Sequence, residues 1–196
     1  MAPIRITNGS GISLEELWGT TPKALRGISI ETLPNFAMLF GPNSGLSHNS
    51  IVIVLEAQSR YLTKFIMATM EARRRGLTLT FEPKKQALDA WWEDCQGKLK
   101  QTSYMDRACT SWWRNPEGIV TNQFWGTAVD YQNDLSVVKW SEYGVDGTGA
   151  DMVRGRKDTY IGRVVEEPQI SDKTLAGLVS GSIVFGGAAL WLLSKR

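Results

Sequence analysis

Six residues carry the clearest chemical suggestion in this chain: Gly41, Pro42, Asn43 and Ser44, followed by Asn49 and Ser50. A glycine has no Cβ, so a flat ring can approach the backbone beside it. Pro42 fixes one backbone dihedral and removes a donor. Asn43, Ser44, Ser47, Asn49 and Ser50 are side chains of the turn and helix-cap type. Such a turn leading into a helix start offers backbone N–H groups and a partial positive charge. That combination suits the edge of a flat cofactor that becomes anionic on reduction. The same residues also describe an ordinary glycine turn in a packed core, and the pattern alone leaves both readings open.

Other residues that often do chemistry lack the company they need. His48 is the single histidine, so neither a metal site nor a Ser–His–Asp arrangement can be built around it. As the side chain at a helix start it reads as a neutral donor or acceptor. Cys95 and Cys109 are the two cysteines, without CxxC spacing, which argues against a zinc site or a disulfide framework and for a reducing compartment. Gly147-Thr148-Gly149 is a G-x-G, but it has no third glycine at the dinucleotide offset and no long apolar strand before it, so it reads as a loop. Trp91-Trp92 and Trp112-Trp113 have the faces to stack on a ring, but packing is the simpler reading.

The elements that would position the six residues are legible in outline. Phe36–Phe40 is a short apolar run between Pro34-Asn35 and Gly41-Pro42, and it reads as a strand buried on both faces, the parallel-sheet case. Ser50 to Arg75 reads as a helix stopped by Gly76, with an apolar face of Ile51, Val54, Leu55, Tyr61, Leu62, Phe65, Ile66 and Met70. Arg73-Arg74-Arg75 sits at its end, where cations suit the helix dipole. Leu77–Phe81 alternates as a short strand closed by Glu82-Pro83. Lys84 to about Lys100 reads as a second helix with Ala87, Leu88, Trp91, Trp92, Cys95 and Leu99 on its stripe.

The wording of several segments resembles a known family. Leu33-Pro34-Asn35-Phe36, Leu39-Phe40-Gly41-Pro42-Asn43-Ser44-Gly45 and His48-Asn49-Ser50 look like the C-terminal FAD-domain signature of flavin-dependent monooxygenases of the Baeyer–Villiger type. Upstream, Gly11, Ser13-Leu14, Glu16, Trp18, Pro22, Ala24 and Gly27 agree with it. Downstream, Cys109-Thr110-Ser111-Trp112-Trp113, Asn115, Gly118, Thr121-Asn122, Trp125-Gly126 and Trp140-Ser141-Glu142-Tyr143 follow in the family's order. The resemblance covers roughly residues 8–145. It implies FAD and NADPH as cofactors, a small-molecule substrate, and the turn at 41–44 with Asn49-Ser50 as cofactor-binding positions. The chain departs from the family in lacking both glycine-rich dinucleotide fingerprints and the linker fingerprint between the two nucleotide domains. Leu25-Arg26 stands where the family has an aromatic–leucine pair, which puts substrate contacts there in doubt.

With 196 residues, this length holds one moderate domain or part of a larger one, not two nucleotide-binding folds plus this region. The expected fold class is α/β: an incomplete C-terminal part of an FAD-binding, Rossmann-like domain over 1–145, a linker over 146–173, and a transmembrane helix over 174–194. That last expectation rests on Leu175–Leu193, nineteen residues without a charge, flanked by Lys173 and by Lys195-Arg196. Such a helix would span roughly 28 Å, close to the hydrocarbon thickness. It reads as a tail anchor with the bulk of the chain facing the cytosol. The formal net charge of +2 gives no electrostatic case for nucleic acid. The expected function is a portion of an FAD- and NADPH-dependent monooxygenase, one that inserts oxygen into ketones or oxygenates heteroatoms, and inactive alone. The alternative is a membrane-tethered, non-catalytic interaction module derived from that family.

Overall fold

The computed structural model describes residues 4–106, 108 and 111–164. Four α-helices and four short strands are laid out in chain order. Helix α1 is Leu14–Trp18, α2 Ile51–Arg74, strand β1 Thr80–Pro83, α3 Lys85–Leu99, α4 Ala128–Asp134, β2 Val137–Val138, β3 Tyr143–Asp146 and β4 Thr159–Tyr160. Local chemistry sets the helix starts. Ser13 accepts from the Glu16 N–H at 3.1 Å while the Glu16 carboxylate accepts from the Ser13 N–H at 2.8 Å, a reciprocal cap for α1. Thr127 and Asp130 repeat that arrangement for α4. Ser50 caps α2 through its hydroxyl, which accepts from the Val52 N–H at 3.2 Å. Gly76, at φ +72°, follows the end of α2, a conformation that favours glycine.

The strands pair as two antiparallel ribbons, β1 with β3 and β2 with β4. The fold-class expectation is corrected here. The described residues form a mixed α/β fragment, with no parallel sheet of the Rossmann-like kind. The run Phe36–Phe40 is not a strand: only Ala37 makes an isolated bridge, to Ser29. Asn35 and Phe40, at φ +55° and +57°, bend the backbone out of the extended region at both ends of the run. Leu39 and Phe40 are exposed rather than buried on two faces.

The expected transmembrane helix at 174–194 lies outside the described residues, and among the described residues no helix is long and apolar enough to cross a membrane. Among the described residues the fold is a mixed α/β fragment. The stretch of the expected linker as far as Val164 carries structure of its own. Ala150 and Val153 are buried, Ala150–Met152 forms a 3₁₀ turn, and β4 closes on β2.

Helix α2 is the spine of the core. Val54, Ala57, Tyr61, Phe65 and Ala72 are buried along it. Phe65 is ringed by aromatics, with centroids 4.5 Å from Tyr143, 5.0 Å from Trp140 and 5.1 Å from Phe81. Ile51, Ile66 and Met70, expected on the buried face, are exposed. On α3 the buried stripe narrows to Leu88, Cys95 and Leu99, and burial pushes the Cys95 thiol up to about 12, so it stays protonated.

Candidate functional site

The six expected cofactor-binding residues divide into two environments. Gly41, Asn43 and Ser44 are buried, Asn43 and Ser44 completely so. The Gly41 N–H donates to the Gly27 carbonyl at 3.1 Å. A Cβ on Gly41 would overlap that same carbonyl oxygen and the Met38 sulfur, so the glycine serves a close backbone approach within the chain. Asn43, at φ +56°, donates through Nδ2 to the carbonyls of Val120 at 2.9 Å and Gln123 at 3.0 Å. Its own N–H donates to the Thr121 carbonyl at 2.9 Å. The Ser44 hydroxyl donates to the Gly41 carbonyl at 2.6 Å. Gly45 then forms a parallel bridge with Gln123. The turn is thus pinned to residues 120–124, and its polar side chains are fully engaged inside the protein.

The second group lies in the open. Ser47, His48, Asn49 and Ser50 are exposed at the start of α2. The Asn49 carbonyl oxygen Oδ1 accepts from the Ser50 N–H at 2.9 Å, a local turn bond. The Ser47 hydroxyl lies 2.6 Å from the Tyr104 hydroxyl. An α-helix leaves its first N–H groups without intrahelical acceptors; here the Ser50 hydroxyl accepts from Val52 at 3.2 Å and the Ser50 carbonyl from Ile53 at 3.3 Å. This end therefore presents exposed polar side chains and the positive pole of a 24-residue helix.

Of the six residues, only Asn49 and Ser50 are exposed, while Asn43 and Ser44 are buried and bonded within the protein. The G-x-G at 147–149 is a packed loop: a Cβ on Gly147 would lie 2.5 Å from the Thr78 carbonyl oxygen, and the Gly149 N–H donates to that oxygen at 2.8 Å. His48 stands exposed, and among the described residues no group of three His, Cys, Asp or Glu side chains could hold a metal. Trp91 donates to Asp134 Oδ2 at 2.7 Å and Trp92 lies under the Lys23 ammonium at 4.0 Å, so both are engaged in the protein's own contacts. Trp112 is 81% exposed.

One group behind the turn gives no clear signal in the sequence. Arg26 is buried at φ +54°. Its guanidinium donates to Glu142 through two nitrogens and to Asp134 through Nε at 3.2 Å. Burial penalises its charge, yet the surrounding Tyr61, Asp134 and Glu142 outweigh that penalty and hold its pKa above the ordinary arginine value. The Tyr131 hydroxyl donates to the Arg26 carbonyl at 2.8 Å and accepts from Gln58 at 2.6 Å, while Gln58 Oε1 accepts from the Phe40 N–H at 2.7 Å. A continuous polar network thus ties the turn to α2, α4 and the 140–142 turn. The unusual Leu25-Arg26 pair is the one available clue, but it points to substrate contacts. The acids that hold the guanidinium, Asp134 and Glu142, lie 108 and 116 residues away in sequence.

No family model matches the chain. Curated relatives do. The chain is 39% identical over 192 residues to the FAD-binding monooxygenase ktnD of Aspergillus niger, covering 96% of this chain and 32% of that protein. It is 29% identical over 141 residues to a Baeyer–Villiger monooxygenase of Streptomyces coelicolor, covering 72% of this chain and 27% of that one. Among solved structures, a cyclohexanone monooxygenase from Rhodococcus bound to NADP+ superposes with a TM-score of 0.57 at 19% identity, over 73% of this chain and 26% of the other. An OTEMO complex with FAD and NADP gives 0.59 at 18% identity, over 73% and 26%. The structural likeness concerns the fold; the sequence likeness carries the kinship. The chain spans about a third of the length of the first of these relatives and about a quarter of the second. It is a relative of the FAD-binding monooxygenases of the Baeyer–Villiger type and corresponds to part of their length.

Proposed function

We propose that this chain supplies one wall of a flavin-dependent monooxygenase: the buried turn Gly41–Ser44 sets the position of the α2 start, and Asn49-Ser50 with the first N–H groups meet the flavin edge. The observation that carries this reading is the 39% identity running through 192 residues of a chain that spans only 32% of an FAD-binding monooxygenase. Bound there, FAD with NADPH would supply the oxidation chemistry, oxygen insertion into ketones or oxygenation of heteroatoms. The chain's own part is positional and electrostatic. A helix start beside a negative charge contributes about 0.3–1 kcal/mol when exposed. That is enough to tune a flavin and far too little to hold one.

The chain alone is therefore expected to bind FAD weakly and to show no NADPH oxidation. Purifying it and recording the visible spectrum tests this directly; a yellow protein with a stoichiometric flavin band would overturn the proposal. Adding the remaining two thirds of the Aspergillus niger relative as a separate polypeptide supplies the positive arm. Flavin-dependent NADPH oxidation that appears only with both chains present is the expected result.

A further inference from the structure

A second concave site lies far from the helix start. Leu62, Phe65, Ile66, Thr69, Met70 and Arg73 recur at helical spacing and form one continuous stripe on the C-terminal half of α2. Facing this stripe are Phe36 and Ala37 from the loop before the turn, and together they enclose a cavity of about 430 Å³. The floor is aromatic, made by Phe65, Phe81 and Tyr143. Ile66 lies 16 residues beyond Ser50, roughly 24 Å along the helix at 1.5 Å per residue. The cavity is thus separate from the proposed flavin edge.

Its electrostatics are one-sided. Arg73 is the single charged residue among those that line it. Glu71 pairs with Arg74 and Arg75, and the Arg73 guanidinium makes no ion pair or hydrogen bond among the described residues. No carboxylate competes for it within the cavity. We propose that this groove binds a small amphipathic carboxylate, its apolar body along Phe36, Leu62, Ile66 and Met70 and its anionic head on Arg73. The volume falls within the range of small-molecule sites, and an apolar wall with one placed polar group is their usual make-up. A guanidinium matches a carboxylate with two parallel hydrogen bonds. The Tyr143 hydroxyl at the floor, 3.4 Å from Ser29 Oγ, stays protonated because burial raises its pKa, so it adds no repelling charge. The C-terminal end of a helix is its negative pole. Any preference for an anion must then come from the arginine, which makes Arg73 the discriminating substitution.

Decanoate, below its micelle concentration, is the probe, titrated calorimetrically against 1-decanol and decyltrimethylammonium at neutral pH. One saturable site that prefers decanoate over decanol by fivefold or more is expected. Arg73→Gln should abolish the preference, and Arg73→Glu should invert it in favour of the cation. Arg74→Gln, at the neighbouring paired arginine, should leave it within twofold. Arg73 is exposed, so these variants should keep the parent's circular dichroism. Ile66→Glu, also at an exposed position, should weaken decanoate tenfold or more. Equal binding of acid and alcohol, no saturable binding of decanoate, or an Arg73→Gln protein that keeps the preference would each overturn the assignment.

Discussion

Residues 41–45 and residues 47–52 adjoin in sequence, read as one motif, and sit in opposite surroundings. The first segment is buried apart from half-buried Pro42, and every polar side chain in it is engaged by the protein's own backbone, at Val120, Gln123 and Gly41. The second is exposed, with Ile51 45% and Val52 53% open beside Asn49 and Ser50. The small residues of the turn let chain touch chain, whereas the residues of the helix start are open to solvent. A motif that looks like a ligand cradle can thus be half scaffold. Substitutions in the two halves should fail in different ways, the scaffold in stability and the rim in whatever it meets.

The largest expected effect is behind the turn. Arg26→Met leaves the Asp134 and Glu142 carboxylates beside an apolar group, and removing one partner of a buried ion pair costs about 3–5 kcal/mol. Both acids retain some exposure, 24% and 20% of the side chain, so the lower end is expected. Urea denaturation should show the midpoint falling, and adding Glu142→Gln should recover part of the loss. A double variant no better than Arg26→Met alone would deny that the pair is coupled. Next comes Gly41→Ala. Its methyl would overlap the Gly27 carbonyl oxygen and sit 2.7 Å from the Met38 sulfur. Overpacking of this kind costs about 1–3 kcal/mol. A Gly41→Ala chain as stable as the parent would mean that the turn is looser than its contacts imply.

How far the sequence can be read depends on the range of the forces involved. Helices α2 and α3 are readable because their apolar spacing and their breakers are local; their ends come within a residue or two, at Ser50 and Leu99. The run at 36–40 misleads because apolar residues say nothing about which backbone is nearby to pair with them. Here Met38 donates to Ile28 and the run bends away at Phe40. Strand β1 begins at Thr80 rather than Leu77 because its register is set by β3, more than sixty residues on. The candidate rim at Asn49-Ser50 is visible as cap chemistry. The separation of that rim from a buried Gly41–Ser44 is not, since it depends on residues 120–124 closing over Asn43. Arg26 illustrates the general case: a lone arginine in a sequence reads as surface until its distant acids are placed around it.

Smaller effects belong to the helix starts. Ser50→Ala removes the hydroxyl that accepts from Val52 and should cost about 1 kcal/mol by thermal unfolding. Asn49→Ala, which loses only a local turn bond, should cost a few tenths at most. The smallest concerns α4, where Asp130 accepts hydrogen bonds from the Thr127 hydroxyl and from the Thr127 N–H at 2.8 Å. Those bonds from Thr127 favour the charged carboxylate and hold its pKa below the usual aspartate value. Its folded pKa is below its unfolded one, about 3.9, so its stabilising contribution is complete above that pH. As pH falls through the depressed value the contribution disappears. Asp130 keeps partial contact with solvent, which keeps the effect small. Asp130→Asn should therefore unfold at a slightly lower temperature than the parent at pH 7, and the gap should close as pH falls through the depressed value. A gap of constant size across that range would mean that the amide loses shape rather than charge, and that the α4 cap does not depend on ionisation.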